Sequence, residues 1–529
     1  MLKVMVRKDA YFDSVVLMLL SRELKGHPGV ADAVVAMGTP MNLDLLVSMG
    51  FARGDFSGVT PNDLVIAVDA ADATAVAATL AAAETALARR KAPAAAGSRA
   101  SVEPTSLDGA LRAQPGANVA VISLPGTYAA REARKALDRG PHVMLFSDNV
   151  PLADEIALKT HARGKGLLVM GPDCGTAILN GKPLCFANVV RRGPIGIVAA
   201  SGTGLQEVSV LVDRAGSGVS QAIGTGGRDL KNEQVGGITM LMGIEGLARD
   251  AATRVIVVIS KPPAAAVAAK VVAALEATRK DAVVHFIGLA SPAAAGASRV
   301  RYAANLEEAA GMAVAIAAGR PWQAKHFDLP EGAIAALVAR ETAGRAPAQR
   351  FVRGYFTGGT LADEAWLVLH AATGAVHSNN QTDPAFVLAD PRVSVGHTVV
   401  DLGDDAFTVG RPHPMIDPST RTERIDAEAD DPTIAVMLVD VVLGYGSHAD
   451  PAGALAPSLV AARAAAGRRG GRLAVVASVT GTPGDHQGLA RQRATLEAAG
   501  VVVMPSNHQA SLLAARLVAA AAANAGRAR

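Results

Sequence analysis

Aromatic residues make up only 3% of the 529 positions, cysteine occurs twice, and no apolar run reaches the roughly 20 residues of a membrane span. Each scarcity removes a class of function. Few aromatics leave few platforms on which single-stranded nucleic acid could stack. The 51 Lys and Arg are interspersed with the 48 Asp and Glu, so the net charge of +3 marks no dedicated surface for a phosphate backbone. Cys174 and Cys185 cannot build a disulfide framework, and no Cys/His spacing suggests zinc, so no metal is expected. The opening Met1-Leu2-Lys3-Val4-Met5-Val6-Arg7-Lys8-Asp9, with Arg22, Glu23 and Lys25 in the next apolar stretch, does not read as a signal peptide. The expectation is a cytoplasmic protein that handles small anions, without a nucleic-acid or membrane partner.

What is plentiful is apolar residue, half of the chain, and glycine, 53 residues. A chain of this length is expected to hold about three or four domains. Positions 1–90 read as a small α+β domain, with strands near 2–6, 32–37 and 63–68 and apolar-periodic helices near 11–24 and 71–89. The Ala-, Pro-, Ser- and Gly-rich 91–116 reads as a linker. From 117 onward strands alternate with helices of about 10 to 15 residues, which specifies parallel sheets covered on both faces. The expected fold class is therefore α/β, with tandem Rossmann-like and flavodoxin-like domains at 117–190, 191–320 and, after a linker at 321–348, at 349–529. Within the last, 378–430 is far longer than an ordinary connection and reads as a functional insertion.

Glycine turns mark the chemistry. Ser201-Gly202-Thr203-Gly204 follows a strand-like run, Gly224-Thr225-Gly226-Gly227-Arg228 forms a second turn, and Gly358-Gly359-Thr360 opens the last α/β domain. At such strand-to-helix turns, backbone N–H groups and a positive helix end converge on phosphate or carboxylate. Ser201, Gly202, Thr203, Gly204, Gly226, Gly227, Arg228, Gly358, Gly359 and Thr360 are therefore candidate anion ligands. Ser201 and Thr203 equally suit helix caps, Gly226 and Gly227 a tight turn at positive φ, and Arg228 a surface ion pair. Gly171-Pro172-Asp173-Cys174-Gly175 lies at the C-terminal end of a strand, where parallel sheets bind ligands. Asp173 is a candidate catalytic residue there and Cys174 a substrate contact, although a cysteine is as often a small buried hydrophobe. Lys261, ahead of two prolines, is a candidate catalytic cation on a restricted backbone, and equally suits a solvated lysine. His413, between Pro412 and Pro414 and ahead of Asp417, is a candidate catalytic imidazole suited to acid/base work, or else a loop histidine bonded to nearby backbone. Arg411 in the same loop, and His448 and Asp485 beyond later strands, complete the candidate substrate contacts.

These motifs resemble the succinyl-CoA ligase superfamily, and most closely its FdrA branch, over most of the chain from about 117 onward. Gly171-Pro172-Asp173-Cys174-Gly175 resembles the ligase α-subunit Gly-Pro-Asn-x-x-Gly loop, with Asp173 in place of Asn. Ser201-Gly202-Thr203, with Glu207 four residues later, resembles that subunit's Ser-Gly-Thr-x-x-x-Glu turn, and Gly224-x-Gly226-Gly227 its next Gly-rich loop. Phe356-Thr357-Gly358-Gly359 resembles the turn that opens the C-terminal domain of the β subunit, so the chain looks like α-type and β-type CoA-ligase domains in tandem. It departs where the family carries phosphate: 291–298 has no histidine, Ser260-Lys261-Pro262 stands where a supporting glutamate is expected, and neither an ATP-grasp domain nor a Walker motif is present. The FdrA resemblance implies one subunit of a hetero-oligomeric oxamate carbamoyltransferase of allantoin breakdown, converting oxalurate and phosphate into oxamate and carbamoyl phosphate. The alternatives it leaves are an acyl-CoA synthetase, with CoA as the one cofactor to consider, and a non-catalytic assembly subunit. Attack of phosphate on a carbamoyl carbon needs anion cradles and positioning, which the Gly-rich turns, Arg228 and Lys261 would supply.

Overall fold

The computed structural model describes residues 1–12, 14–91, 104–289, 298–409 and 411–527. They form two compact units, Met1–Glu103 with Thr408–Pro412, and Pro104–Phe407 with His413–Arg529. Among the described residues no helix is long and apolar enough to cross a membrane.

In the first unit the alternation of Leu64–Ala70 decides the architecture. Leu64, Ile66 and Val68 face one core and Val65 and Ala67 the other, as the two-residue period of a strand requires. This strand is the middle of an antiparallel sheet, between Leu2–Arg7 and Val30–Met37. Helices Ser14–Lys25 and Ala73–Lys91 cover the first face through Leu17, Leu20, Leu24, Val76 and Leu87. The second face is covered by a helix that the periodicity did not suggest, Pro40–Ser48. Pro40 stands in its first turn, and the Thr39 hydroxyl accepts from Asn42 N.

The second unit holds three sheets, two wholly parallel and one mixed. The smallest pairs Val119–Ile122, His142–Leu145 and Val169–Met170 in chain order. Part of the stretch expected as a linker before it is helical, Leu107–Ala113. Ser106 caps that helix at Gly109 N, and Leu107 packs on the core of Ile122, Leu137 and Leu145. The next sheet runs in the order Val300–Tyr302, Asp281–Phe286, Val255–Ser260, Ile195–Ala200, Val219–Gly224, Thr176–Leu179, Lys182–Cys185. Its last two strands are an antiparallel hairpin whose Asn180-Gly181 turn has both residues at positive φ, the geometry of a two-residue hairpin loop. The hairpin joins this sheet, not the preceding one with which 117–190 had grouped it.

The third sheet is wholly parallel, in the order Val376–Ser378, His397–Asp401, Phe351–Phe356, Ile434–Val442, Ala474–Thr480, Val502–Met504. Every residue of Ile434–Val442 is buried, as a central strand covered on both faces demands. The expected insertion at 378–430 corrects in part: its apolar Thr398-Val399-Val400 run forms a strand beside Phe351–Phe356, and Ser419–Glu428 is helical. The expected linker at 321–348 likewise carries a helix, Glu331–Thr342, with Ile334 in the core. Helices Gly202–Arg214, Gly359–Thr373 and Asn507–Arg527 lie between the two larger sheets, burying Leu205, Val212, Leu361, Ala365, Leu369, Leu513 and Leu517 in one apolar core. The layer orients both sheets so that strand ends bearing the glycine turns meet.

Candidate functional site

Strand Ile195–Ala200 ends at Ser201 and strand Phe351–Phe356 at Thr357, Gly358 and Gly359, and each turn starts a helix. Ser201 Oγ accepts from Gly204 N at 3.0 Å, capping Gly202–Arg214, and shares a hydrogen bond of 2.6 Å with Thr360 Oγ1 in the first turn of Gly359–Thr373. A Cβ on Gly358 would collide with the Thr203 side chain, so only glycine lets the turns approach this closely. Two helix N-termini, each with unsatisfied N–H groups and a positive dipole end, thus abut.

Strand Val255–Ser260 delivers Lys261 to the same place. Its Nζ lies 2.9 Å from Asp363 Oδ2 on the second of these helices. Asp401, at the end of the strand His397–Asp401, approaches from the other side. A Cβ on Gly359 would lie 2.6 Å from Asp401 Oδ2, 2.7 Å from Lys261 Nζ and 3.0 Å from Asn380 Nδ2, so three polar groups converge over one bare Cα. Asp401 Oδ1 accepts from Gly403 N at 2.9 Å, and Asn380 Nδ2 reaches Oδ2 at 3.5 Å.

The charges of this cluster follow from burial set against pairing. Burial pushes Asp401 up to about 7, Lys261 and the Gly403 N–H work against the rise, and Asp363 and Asp404 add to it. Burial also raises Asp363, outweighing the pull of Lys261. Burial acts to discharge Lys261, but Asp363, Asp401 and Asp173 together hold its affinity above the ordinary lysine value. Asp173, in a left-handed backbone conformation with its N–H on Ser147 O, still reaches solvent. Crowding of the cleft, then Asp148 and Asp405, raise its carboxyl to about 6 against Lys261 and Arg228.

His413 borders Asp401. A Cβ on Gly403 would stand 2.7 Å from His413 Nε2 and 3.1 Å from Asp401 Oδ1. Burial lowers the imidazole to about 4, so it is neutral. Met415 N donates to its Nδ1 at 3.2 Å, which assigns the ring proton to Nε2. The ring packs against Phe186, 5.5 Å between centroids. His413 thus faces the cleft as a fixed donor.

Other candidates are occupied elsewhere. Arg228 pairs through Nε with the buried Glu155 at 2.8 Å and donates to Val150 O. Glu155 also holds Lys159, which reaches Asp229 at 2.7 Å, so this network braces the fold. Gly226 has φ 82, and a Cβ there would strike Pro172 O, so it is needed for the close approach of the 171–175 loop; Gly227 meets no such limit. Cys174 is buried against Gly224, and burial pushes its thiol to about 12, which removes thiolate reactivity. Buried Asp485 accepts from Asn188 Nδ2, Val189 N and Thr482 N. His448 donates its backbone N–H to Met415 O and accepts from Asp450 N at Nδ1, steadying the His413 loop. Arg411 belongs to the first unit, exposed, with its N–H on Thr408 O.

Asp363, Asp401 and Asn380 escape motif reading, as does Asp440 beneath them. Asp440 is fully buried, accepts from Thr357 N and Oγ1, and pairs with Arg421 at 2.8 Å, fixing the turn that leads into Gly358. Its one signal is a charge inside the apolar run Ile434–Val442, which must be paired to be tolerated.

Two family models match the chain: one described as AllF, heavy metal-associated domain, over residues 1–104, and one described as CoA-ligase over residues 355–517. The uncharacterized protein YahF of Escherichia coli is 43% identical over 516 residues, 98% of each chain. The alpha subunit of ADP-forming succinate–CoA ligase from Aquifex aeolicus is 31% identical over 157 residues, which are 28% of this chain and 49% of that subunit. Among solved structures, the apo form of the dinucleotide-forming acetyl-coenzyme A synthetase 1 of Ca. Korarchaeum cryptofilum aligns over 78% of this chain and 85% of that one, with 14% identity and a TM-score of 0.31. Both cysteines lie beyond residue 104, and among the described residues no three His, Cys, Asp or Glu are grouped to hold an ion.

Proposed function

From the chain's membership of the FdrA family within the succinyl-CoA ligase superfamily, we infer that it is a carbamoyltransferase subunit, converting oxalurate and phosphate into oxamate and carbamoyl phosphate. The observation that carries this reading is the meeting of two helix N-termini with Lys261, an anion cradle, beside a histidine held as a neutral donor. Phosphate would sit at the N–H groups of the two helices with Lys261. Its oxygen would attack the carbamoyl carbon, and His413 Nε2–H would donate to the oxyanion that develops there. No phosphorylated histidine is needed, and 291–298 lacks one; of that stretch, 291–297 lies outside the described residues. The active assembly would contain other subunits in the cytoplasm.

Coenzyme A fits less well. The loops 123–125, 146–151 and 171–175, at the C-terminal ends of the smallest sheet, hold Asp148 and Asp173 and no Lys or Arg of their own, and Arg228, bonded to Val150 O, is already paired with Glu155, which is little positive charge for a polyanion. The test is phosphate-dependent formation of carbamoyl phosphate from oxalurate, by the chain alone and together with the proteins encoded beside it. Activity in the mixture supports the reading. A folded complex without it, forming a thioester with coenzyme A instead, would establish the acyl-CoA synthetase alternative.

A further inference from the structure

We propose that Asp401 is the proton shuttle of this cleft, taking the proton of the attacking phosphate and delivering it to the leaving amide nitrogen. The inference rests on the carbamoyl-transfer reading and names a residue that the reading leaves open.

The reaction fixes what must move. Hydrogen phosphate attacks the carbamoyl carbon through one oxygen, a C–O bond forms, and the C–N bond to the oxamate nitrogen breaks. The phosphate oxygen loses its proton and the departing nitrogen gains one, so the group that carries it ends the cycle as it began. No oxidant or reductant enters.

Such a group must lie beside the anion cradle, have an oxygen or nitrogen not committed to another partner, and be able both to accept and to give a proton. His413 fails the second requirement, because its free ring nitrogen, Nδ1, accepts from Met415 N and its Nε2 already bears hydrogen. Lys261, held charged among three carboxylates, has no lone pair to offer. Asp363 is bound to Lys261 at 2.9 Å. Asp440 is committed to Arg421 and Thr357. Asp173 reaches solvent and has Asp148 and Asp405 as acidic neighbours.

Asp401 meets all three. It is 7% exposed, its Oδ1 is oriented by the Gly403 N–H, and its Oδ2 stands over Gly359 with only the 3.5 Å approach of Asn380. One oxygen therefore faces Lys261 across the cradle and the other borders His413. Lys261, Asp363, Asp404 and His413 are the titratable groups that surround it. Burial and the two aspartates bring its proton affinity to about 7, where acceptance and release are most evenly matched at neutral pH.

The experiment has two arms. In the reconstituted complex, Asp401→Asn should lower kcat by about 10²- to 10⁴-fold, the usual worth of a positioned acid/base, and remove the acid limb of the pH profile, with Asp401→Glu restoring part of both. An Asp401→Asn complex that keeps the wild-type rate and profile would overturn the proposal while leaving the proposed reaction standing. In the chain alone, isotope-edited infrared should show a carboxylic acid that titrates near neutrality and vanishes in Asp401→Asn. If the wild-type complex makes no carbamoyl phosphate, the proposed reaction falls. The infrared titration still decides Asp401, because a carboxyl already ionised well below neutrality cannot serve as the shuttle.

Discussion

At the scale of single residues the site is governed by what is absent from a side chain as much as by what is present. Gly359 has no Cβ, and the space that one would take is where Asp401, Lys261 and Asn380 converge. Gly359→Ala is expected to cost about 1–3 kcal/mol of stability through overpacking, and to reduce the rate of the reconstituted complex well beyond what that loss explains. Thermal unfolding and carbamoyl phosphate assays on one preparation check this. Arg421 is the counterpart below the site. Arg421→Ala leaves the Asp440 carboxylate buried and unpaired, with an expected loss of about 3–5 kcal/mol in denaturant unfolding. Lys261, His413 and Ser201 could be singled out in the sequence because prolines or a strand-to-helix turn restrict them. Asp363 and Asp401 could not, because each is one aspartate among many until the strands place it beside Lys261.

At the scale of elements, the helices between the two large sheets are tied together by buried carboxylates. Glu364 accepts from Leu306 N at 2.9 Å and Asn507 Nδ2 at 2.8 Å, linking the starts of Leu306–Ala317 and Asn507–Arg527 to Gly359–Thr373. Glu207 accepts from Thr480 Oγ1 and Asn507 N. Burial pushes Glu364 up to about 7 and raises Glu207 as well. A carboxyl raised on folding contributes its full stability below its unfolded value, near 4.3, and loses that contribution as pH climbs through about 7. Glu364→Gln should therefore match the wild type near pH 4 and become relatively more stable toward pH 8, by up to roughly 3 kcal/mol. Melting curves across that range test it; equal pH dependence in both proteins would show that Glu364 is not the titrating group. Element type was legible in the sequence wherever strands and helices alternate. The helices at Leu107–Ala113 and Glu331–Thr342 were not, since Ala, Pro and Gly composition reads as linker until Leu107 and Ile334 are seen to pack.

At the scale of the whole molecule, the two units have separate cores: Leu17, Ile66 and Leu87 in one, Ile197, Leu361 and Leu517 in the other. A chain lacking residues 1–103 is expected to keep a cooperative unfolding transition, checked by circular dichroism and limited proteolysis; collapse of that transition would show that the larger unit needs the smaller. The sequence by itself determined that parallel α/β sheets would form, that glycine turns would stand at their strand ends, and that the histidine and glutamate of a phosphorylating ligase would be missing. Periodicity and turn chemistry are local and can be read along the chain. Only the tertiary structure decided which turns meet, that Arg228 and Cys174 serve the fold, and that Asp363 and Asp401 enclose Lys261. Those outcomes depend on the burial of one helical layer between two sheets, which brings residues more than a hundred positions apart within hydrogen-bonding distance and sets each charge by the neighbours it acquires there.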